Sequence, residues 1–244
     1  MKPSDYTDRN VYRNRVVSDL ECWRMQHLET ELLICAGRKL EDEALFAVLE
    51  LRRVLDGYME KHPEFKTALS PLEPEADAHA MIAAMCEAGK AADVGPMAAV
   101  AGAFSAYVAD ELLKHTDKVI VENGGDICMK TGDIRTVAIY AGASPLNMKV
   151  GIKVDSREMP VSVCTSSGTV GPSLSFGNAD AAVVVSRDAC LADACATRLG
   201  NELKSEDDIQ SALETVYAIE GVMGAVAIIG GKCGAIGDIE LVSL

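Results

Sequence analysis

The chain has no excess of basic residues. Against 37 Asp and Glu stand 23 Lys and Arg, a formal net charge of −14 over 244 residues. A surface of that sign repels nucleic acid and anionic membranes, so neither is an expected partner. Arg9, Arg13 and Arg15 come nearest to a basic cluster, and Asp5, Asp8 and Asp19 surround them. There is no Cys-x-x-Cys, and the four histidines (His27, His62, His79 and His115) lie apart from the cysteines, which argues against a structural zinc site. No apolar run has the length and character of a bilayer span. Residues 94–113 come closest, but Asp93, Asp110 and Glu111 bracket most of that run and its small side chains suit a buried helix. The first ten residues are polar and lack the apolar core of a signal peptide, so a loose tail over residues 1–10 and a cytoplasmic location are expected. The eight cysteines lie mostly inside apolar segments, as small core residues do, and fit reduced thiols.

What is present is a chain with 49% apolar and 25% charged residues and no repeat, low-complexity segment or linker. One folded domain over residues 11–244 follows. Residues 16–20 and 29–36 read as the strands of a first hairpin. Residues 41–60 place Leu45, Val48, Leu49, Leu55 and Met59 along one helical face, and His62-Pro63 ends that helix. A short helix is expected over residues 75–89. Another over residues 95–114 takes Asp93 as N-cap and Pro96 in its first turn. The second half is mostly strand: residues 118–122, 127–130, 135–140, 148–154, 160–164, 183–186, 222–229 and 239–242. Helices over residues 189–203 and 205–217 interrupt it. Strands in hairpins with helices grouped between them specify an α+β fold, with a mostly antiparallel sheet and packed helices.

Four segments carry candidate chemistry. Asn123-Gly124-Gly125-Asp126 sets a carboxylate beside two bare amides, which suits a phosphorylated ligand; the same pattern also makes an ordinary hairpin turn. Cys164-Thr165-Ser166-Ser167-Gly168-Thr169 is a hydroxyl-rich loop suited to phosphate or sugar oxygens. The segment after it offers Phe176 for stacking on a ring and Asp180 as a further carboxylate. Asp193 and Thr197 stand one helical turn apart, so their oxygens face one way and can share Mg²⁺ or Ca²⁺. The alternative for that pair is a helix-surface Asp with a Thr bonding its own backbone. Cys164 at a strand end is a third kind of candidate, a nucleophile, but no histidine lies in a neighbouring segment.

The order of these segments resembles the ApbE-like superfamily, whose best-known members are Mg-dependent FAD:protein FMN transferases. The matching stretches are the alanine-rich residues 98–113, Asn123-Gly124-Gly125-Asp126-Ile127, Thr165-Ser166-Ser167-Gly168 and Ala192-Asp193-Ala194-Cys195-Ala196-Thr197, within a resemblance that covers roughly residues 94–244. Closer still, the chain resembles the short branch of that superfamily, which has no established activity. The resemblance implies an ApbE-like, T-fold-type domain that takes FAD, FMN or a related phosphorylated nucleotide. It implies a cation held by Asp193, Thr197 and the carbonyl of Ala101, and a nucleotide at Asn123, Gly124, Gly125 and Asp126 with Thr165, Ser166 and Gly168 near it. The chain also departs from the transferase pattern. Aligned on the helix alanine, Pro96 and Gly102 stand where transferases carry Asp and Lys, and no counterpart of their His-Ile-x-Asp-Pro segment is present. Two readings follow: a metal-dependent enzyme acting at a phosphate bond, with Asp126 or Asp180 as base, or a ligand-binding protein that keeps the pocket without the chemistry. An acceptor protein would be a partner in the transferase case, and abundant strand in a modest chain suits a homodimer.

Overall fold

The computed structural model describes Arg13, residues 19–169 and residues 175–244. The tail expected over residues 1–10 lies outside the described residues, as do residues 16–18 of the first expected strand. The described first hairpin is β1 (Glu21–His27) with β2 (Thr30–Ala36), so its opening strand starts later than the apolar run at 16–20 suggests. In Glu-Cys-Trp-Arg-Met-Gln-His only Trp23 and Met25 pack on the core, and that alternation is what makes the strand.

Eight strands form one antiparallel sheet in the order β1-β2-β3-β4-β7-β8-β9-β10. Its central members are β3 (Val119–Asn123), β4 (Asp126–Lys130), β7 (Val161–Ser166), β8 (Ala181–Ser186) and β9 (Val222–Ile229). Strand β10 (Lys232–Gly237) closes the far edge. A second antiparallel sheet of three strands, β11-β6-β5, comprises β5 (Arg135–Ala138), β6 (Val150–Val154) and β11 (Glu240–Ser243).

Residues alternate along the central strands between two cores. Cys128, Cys164, Ala182, Val184, Ala225 and Ala227 face the helices, whereas Met129, Val163, Val183, Val185, Val226 and Ile228 face the small sheet with Ile152 and Val154. The helical layer contains α1 (Glu41–Lys61), α2 (Ala80–Ala92), α3 (Val100–Leu112), α4 (Ala189–Glu202) and α5 (Ile209–Tyr217). Helix α1 buries Ala44, Ala47, Val48, Leu51 and Leu55, so its inner face is rotated from the expected one, and Leu45 and Leu49 are exposed. Helix α2 starts later than residue 75, at Ala80. Asp93 does not cap the next helix. It ends α2 in the left-handed region at φ 55°, and Gly95 and a short 3-10 turn, Pro96–Ala99, lead into α3. Among the described residues no single helix is long and apolar enough to cross a membrane.

The cysteines divide in a way the sequence did not disclose. Cys22 and Cys35 face each other across β1 and β2 and form a disulfide, which corrects the expectation of uniformly reduced thiols. Five of the other cysteines are buried, and Cys233 on edge strand β10 is exposed. Burial pushes the Cys86 and Cys128 thiols up to about 11 and Cys195 up to about 12. Because only the thiolate alkylates, brief treatment of native protein with iodoacetamide at pH 8 is expected to label Cys233 first. The buried thiols should react slower by a factor on the order of 10² or more. Peptide mass spectrometry checks this, and comparable labelling of Cys128 or Cys195 would contradict the burial described.

Candidate functional site

The Asn123-Gly124-Gly125-Asp126 segment is a two-residue hairpin turn joining β3 to β4, with Asn123 paired to Asp126. Gly124 and Gly125 have φ of 69° and 109°, backbone that side-chain-bearing residues rarely adopt. The hairpin reading and the ligand reading therefore describe the same residues. Strand alternation sends Asn123 and Asp126 to the helix side of the sheet, with Val121 and Cys128. On that side α3 and α4 cross closely. A Cβ on Gly102 would overlap the carbonyl oxygen of Ala189 and lie 2.8 Å from Asp193 Cβ. The bare start of α3 thus permits backbone contact with α4.

That contact brings Asp193 to the turn. Gly102 N donates to Asp193 Oδ2 at 2.8 Å, and the Ala101 amide also bonds this carboxylate. Thr165 N, at the end of β7, donates to Asp126 Oδ1 at 3.1 Å. Asn123 Nδ2 donates to the Ala101 carbonyl at 3.3 Å, and Ser105 Oγ donates to the same oxygen at 3.0 Å. Asp126 and Asp193 are 6% and 8% exposed, so both carboxyl groups sit away from bulk solvent. Burial raises the Asp193 carboxyl far above the usual range, and repulsion from Asp126 raises it further; the Gly102 and Ala101 amides oppose the shift only partly. Two buried carboxylates repelling one another form a place where a hard cation would be stabilised. Thr197, half-buried, is one turn further along α4, in line with Asp193. Asp193, Thr197 and the Ala101 carbonyl are the oxygen groups that could hold a divalent cation here; among the described residues no cluster of three or more His, Cys, Asp or Glu forms. The Asn123–Ala101 bond, the longest of the set, is the one a cation at that carbonyl would displace.

The hydroxyl-rich loop reaches α4 partly through close backbone contact. A Cβ on Gly168 would overlap the Gly177 carbonyl oxygen, and one on Gly177 would overlap that of Gly200 in α4. Ser166 is buried close to Gly200, and Ser167 Oγ donates to the Ala179 carbonyl at 3.2 Å. Phe176 is 54% exposed, its ring free of the core, while its N–H donates to Asn201 Oδ1. Residues 171–174 lie outside the described residues. Asp180 belongs to a different set of bonds. One oxygen accepts from Thr169 Oγ1 at 3.0 Å and the other from Gly230 N at 2.8 Å, tying the loop to the β9–β10 turn.

Two further residues complete the site: Cys164, which the sequence offered as a nucleophile, and Glu122, which sequence reasoning passed over. Cys164 lies fully buried beneath the carboxylates, its thiol pointing to the Ala189 carbonyl, and burial together with Asp126 and Asp193 pushes its proton affinity up. That is the environment of an inert thiol, which removes the nucleophile reading. Glu122 is the other. An acid at the end of the apolar run Val119-Ile120-Val121 was the available signal, and its side chain holds the turn from behind: Glu122 Oε1 accepts from Gly125 N at 2.8 Å.

Comparison with known proteins shows the family of the chain. The sequence model described as AbpE bacteria matches residues 14–235. The chain belongs to the AbpE bacteria family. Relatives of the chain include a UPF0280 protein of Methanocella arvoryzae, 39% identical over 88% of this chain and 87% of its own length. A UPF0280 protein of Methanococcus maripaludis is 43% identical over 86% and 88%. Among solved structures, the apo form of the Pseudomonas stutzeri flavinyl transferase ApbE superposes with a TM-score of 0.56 at 12% identity, covering 89% of this chain and 94% of that one. The ApbE protein of Thermotoga maritima also gives 0.56 at 12%, covering 88% and 96%. At that identity the likeness shows the fold. The AbpE family member described here thus has the ApbE-like α+β architecture.

Proposed function

We propose that the protein is a Mg²⁺-dependent enzyme that binds FAD, FMN or a related phosphorylated nucleotide and acts at a phosphate bond. The observation that carries this reading is the pair of buried, mutually repelling carboxylates, Asp126 and Asp193, between a bare glycine turn and the start of α3. Asp193, Thr197 and the Ala101 carbonyl are the proposed cation ligands. Bound there, Mg²⁺ (or Ca²⁺) would neutralise a pyrophosphate and polarise the phosphorus as a Lewis acid. The Gly124 and Gly125 backbone leaves room for the ligand, with Asn123 beside it, while Thr165, Ser166 and Gly168 bound it on the other side. Phe176 offers an exposed ring for stacking. Asp126, on the turn, is the proposed base that takes the proton of the attacking hydroxyl. Asp180, engaged with Thr169 and Gly230, holds the loop. With water as acceptor, FAD would give FMN and AMP. With a threonine of an acceptor protein, the FMN would be transferred to that oxygen and AMP would leave.

A second reading is favoured by Pro96 and Gly102, which replace the Asp and Lys of the transferases. The packing at Gly102 has no room for a lysine side chain. In this reading the protein binds the nucleotide and does not cleave it.

Calorimetry of FAD binding, first with Mg²⁺ and then with EDTA, followed by chromatography of the recovered ligand, separates the two. The enzyme reading expects Mg²⁺-dependent binding and recovery of FMN with AMP. Binding with intact FAD recovered would establish the non-catalytic reading. Absence of binding under both conditions would overturn the flavin assignment.

A further inference from the structure

The face of the sheet opposite the carboxylate pair carries a buried charge relay that reaches the same turn. Along β3, Val119, Val121 and Asn123 point toward the helices, so Glu122 points the other way. Glu122 is 6% exposed. Its Oε1 accepts from Gly125 N, and its Oε2 accepts from Arg13 Nε at 2.6 Å. The Arg13 side chain is fully buried. It donates through Nη1 to Glu31 Oε1 and through Nη2 to the Glu31 carbonyl on β2. One arginine distant in sequence therefore fixes a glutamate, and that glutamate fixes the amide of a glycine at φ 109°.

The chemistry of the relay is specific. The Gly124 and Gly125 turn has no side chains of its own to lock it, and Asp126 follows it immediately. The Asn123–Asp126 pairing closes the turn, and bonds to its amides fix its conformation further. Glu122 holds one. A buried glutamate is itself tolerated only when its charge is compensated, and Arg13 supplies that compensation with a bonded guanidinium. Lysine would keep the charge but lose the fork that reaches both Glu122 and Glu31.

We propose that Arg13, acting through Glu122, is a positioning residue: it sets the Gly124 and Gly125 turn, and thereby the placement of Asp126 against Asp193. The pairing of turn and relay stands on the contacts above; its effect on a cation rests on the function proposed in the preceding section. Outer partners that orient ligand groups typically alter affinity 10- to 100-fold. Loss of the guanidinium should fall at the lower end, because Glu122 remains as an acceptor.

The test measures two quantities in the full chain: Mn²⁺ affinity by calorimetry, with Mn²⁺ as the probe, and hydrogen exchange of the Gly125 amide by NMR. Arg13→Met is compared with wild type, Arg13→Lys and Leu213→Ala. The last is a core truncation in α5 that lowers stability away from the turn. Arg13→Met is expected to weaken Mn²⁺ binding on the order of tenfold and to speed Gly125 exchange, with Arg13→Lys recovering part of both. Leu213→Ala should leave Mn²⁺ affinity unchanged and should not single out Gly125. Where Arg13→Met does not fold, Arg13→Lys and Glu122→Gln carry the same two readouts. Unchanged Gly125 exchange in a folded variant overturns the inference, whatever happens to Mn²⁺. If Gly125 responds to Arg13 and the wild type binds no Mn²⁺, the positioning stands and the cation site falls.

Discussion

Asp193→Asn is expected to raise the thermal stability of the cation-free protein and to remove its response to Mg²⁺. The two signs come from one cause. In the folded chain the Asp193 carboxyl is buried beside Asp126, so its charge is opposed by desolvation and by a like charge. Asparagine keeps an oxygen that can accept from Gly102 N, occupies nearly the same volume, and carries no charge. In EDTA the variant should therefore melt a few degrees above the wild type. With Mg²⁺ the order reverses. A cation bound only by the folded state at about 100 times its Kd adds about 2.7 kcal/mol, roughly 5–10 °C for a chain of this size. The variant lacks the carboxylate and should gain almost nothing. Turnover, if present, should fall by about 10²-fold or more, since the outer partners of a metal ligand alone cost about 10- to 100-fold. Scanning calorimetry of both proteins in both buffers reads the result. A variant that melts below the wild type in EDTA would mean that Asp193 is held by contacts stronger than the repulsion described. Equal Mg²⁺ shifts in the two proteins would remove it from the cation site.

How much of this was legible beforehand depended on whether the signal was local. The Asn123-Gly124-Gly125-Asp126 turn was, because two glycines between alternating strands leave few backbone options. Helix α4 was as well: its alanine-rich run is bounded, and Asp188 caps it by accepting from Leu191 N. Strand β10 was missed. Its Lys232-Cys233-Gly234-Ala235-Ile236-Gly237 sequence is an edge with little buried surface, so it shows no apolar alternation. Asp93 looked like an N-cap because an acid preceding Gly95-Pro96 fits that position, but it closes α2 instead, a choice fixed by the Gly89 carbonyl that accepts from Val94 N. In the candidate site, Asp126 and Asp193 were legible as carboxylates on a glycine turn and on a helix face, whereas Ala101 was named only through a family likeness. Their proximity depends on β3, α3 and α4 meeting, contacts between segments tens of residues apart. Arg13 stood out only as part of a weak basic cluster for the same reason: its partners Glu31 and Glu122 are 18 and 109 residues away.

Gly102→Ala tests the meeting of those elements most directly, and its expected effect is large. The added methyl would fall on the Ala189 carbonyl oxygen and within 2.8 Å of Asp193 Cβ, both in α4. Neither is the mobile end of a long side chain, so α3 and α4 must separate. Separation stretches the 2.8 Å bond from Gly102 N to Asp193 Oδ2 and leaves a buried carboxylate with less support. Overpacking of this kind costs about 1–3 kcal/mol, and the weakened bond adds about 1 more. A fall in Tm of roughly 5–15 °C follows for a domain of this length. The matched control is Gly57→Ala. Gly57 lies within α1, a turn before its end, and a Cβ there meets nothing within 4 Å. That substitution should stabilise by about 0.5–1 kcal/mol, because alanine is the better helix former and restricts the unfolded chain. The same chemical change thus carries opposite signs at two helical glycines. Thermal melts of the two variants decide the matter: a Gly102→Ala protein as stable as Gly57→Ala would mean that α3 and α4 do not touch through backbone. The geometry that gathers Asp193, Ala101 and the turn into one site would then be wrong.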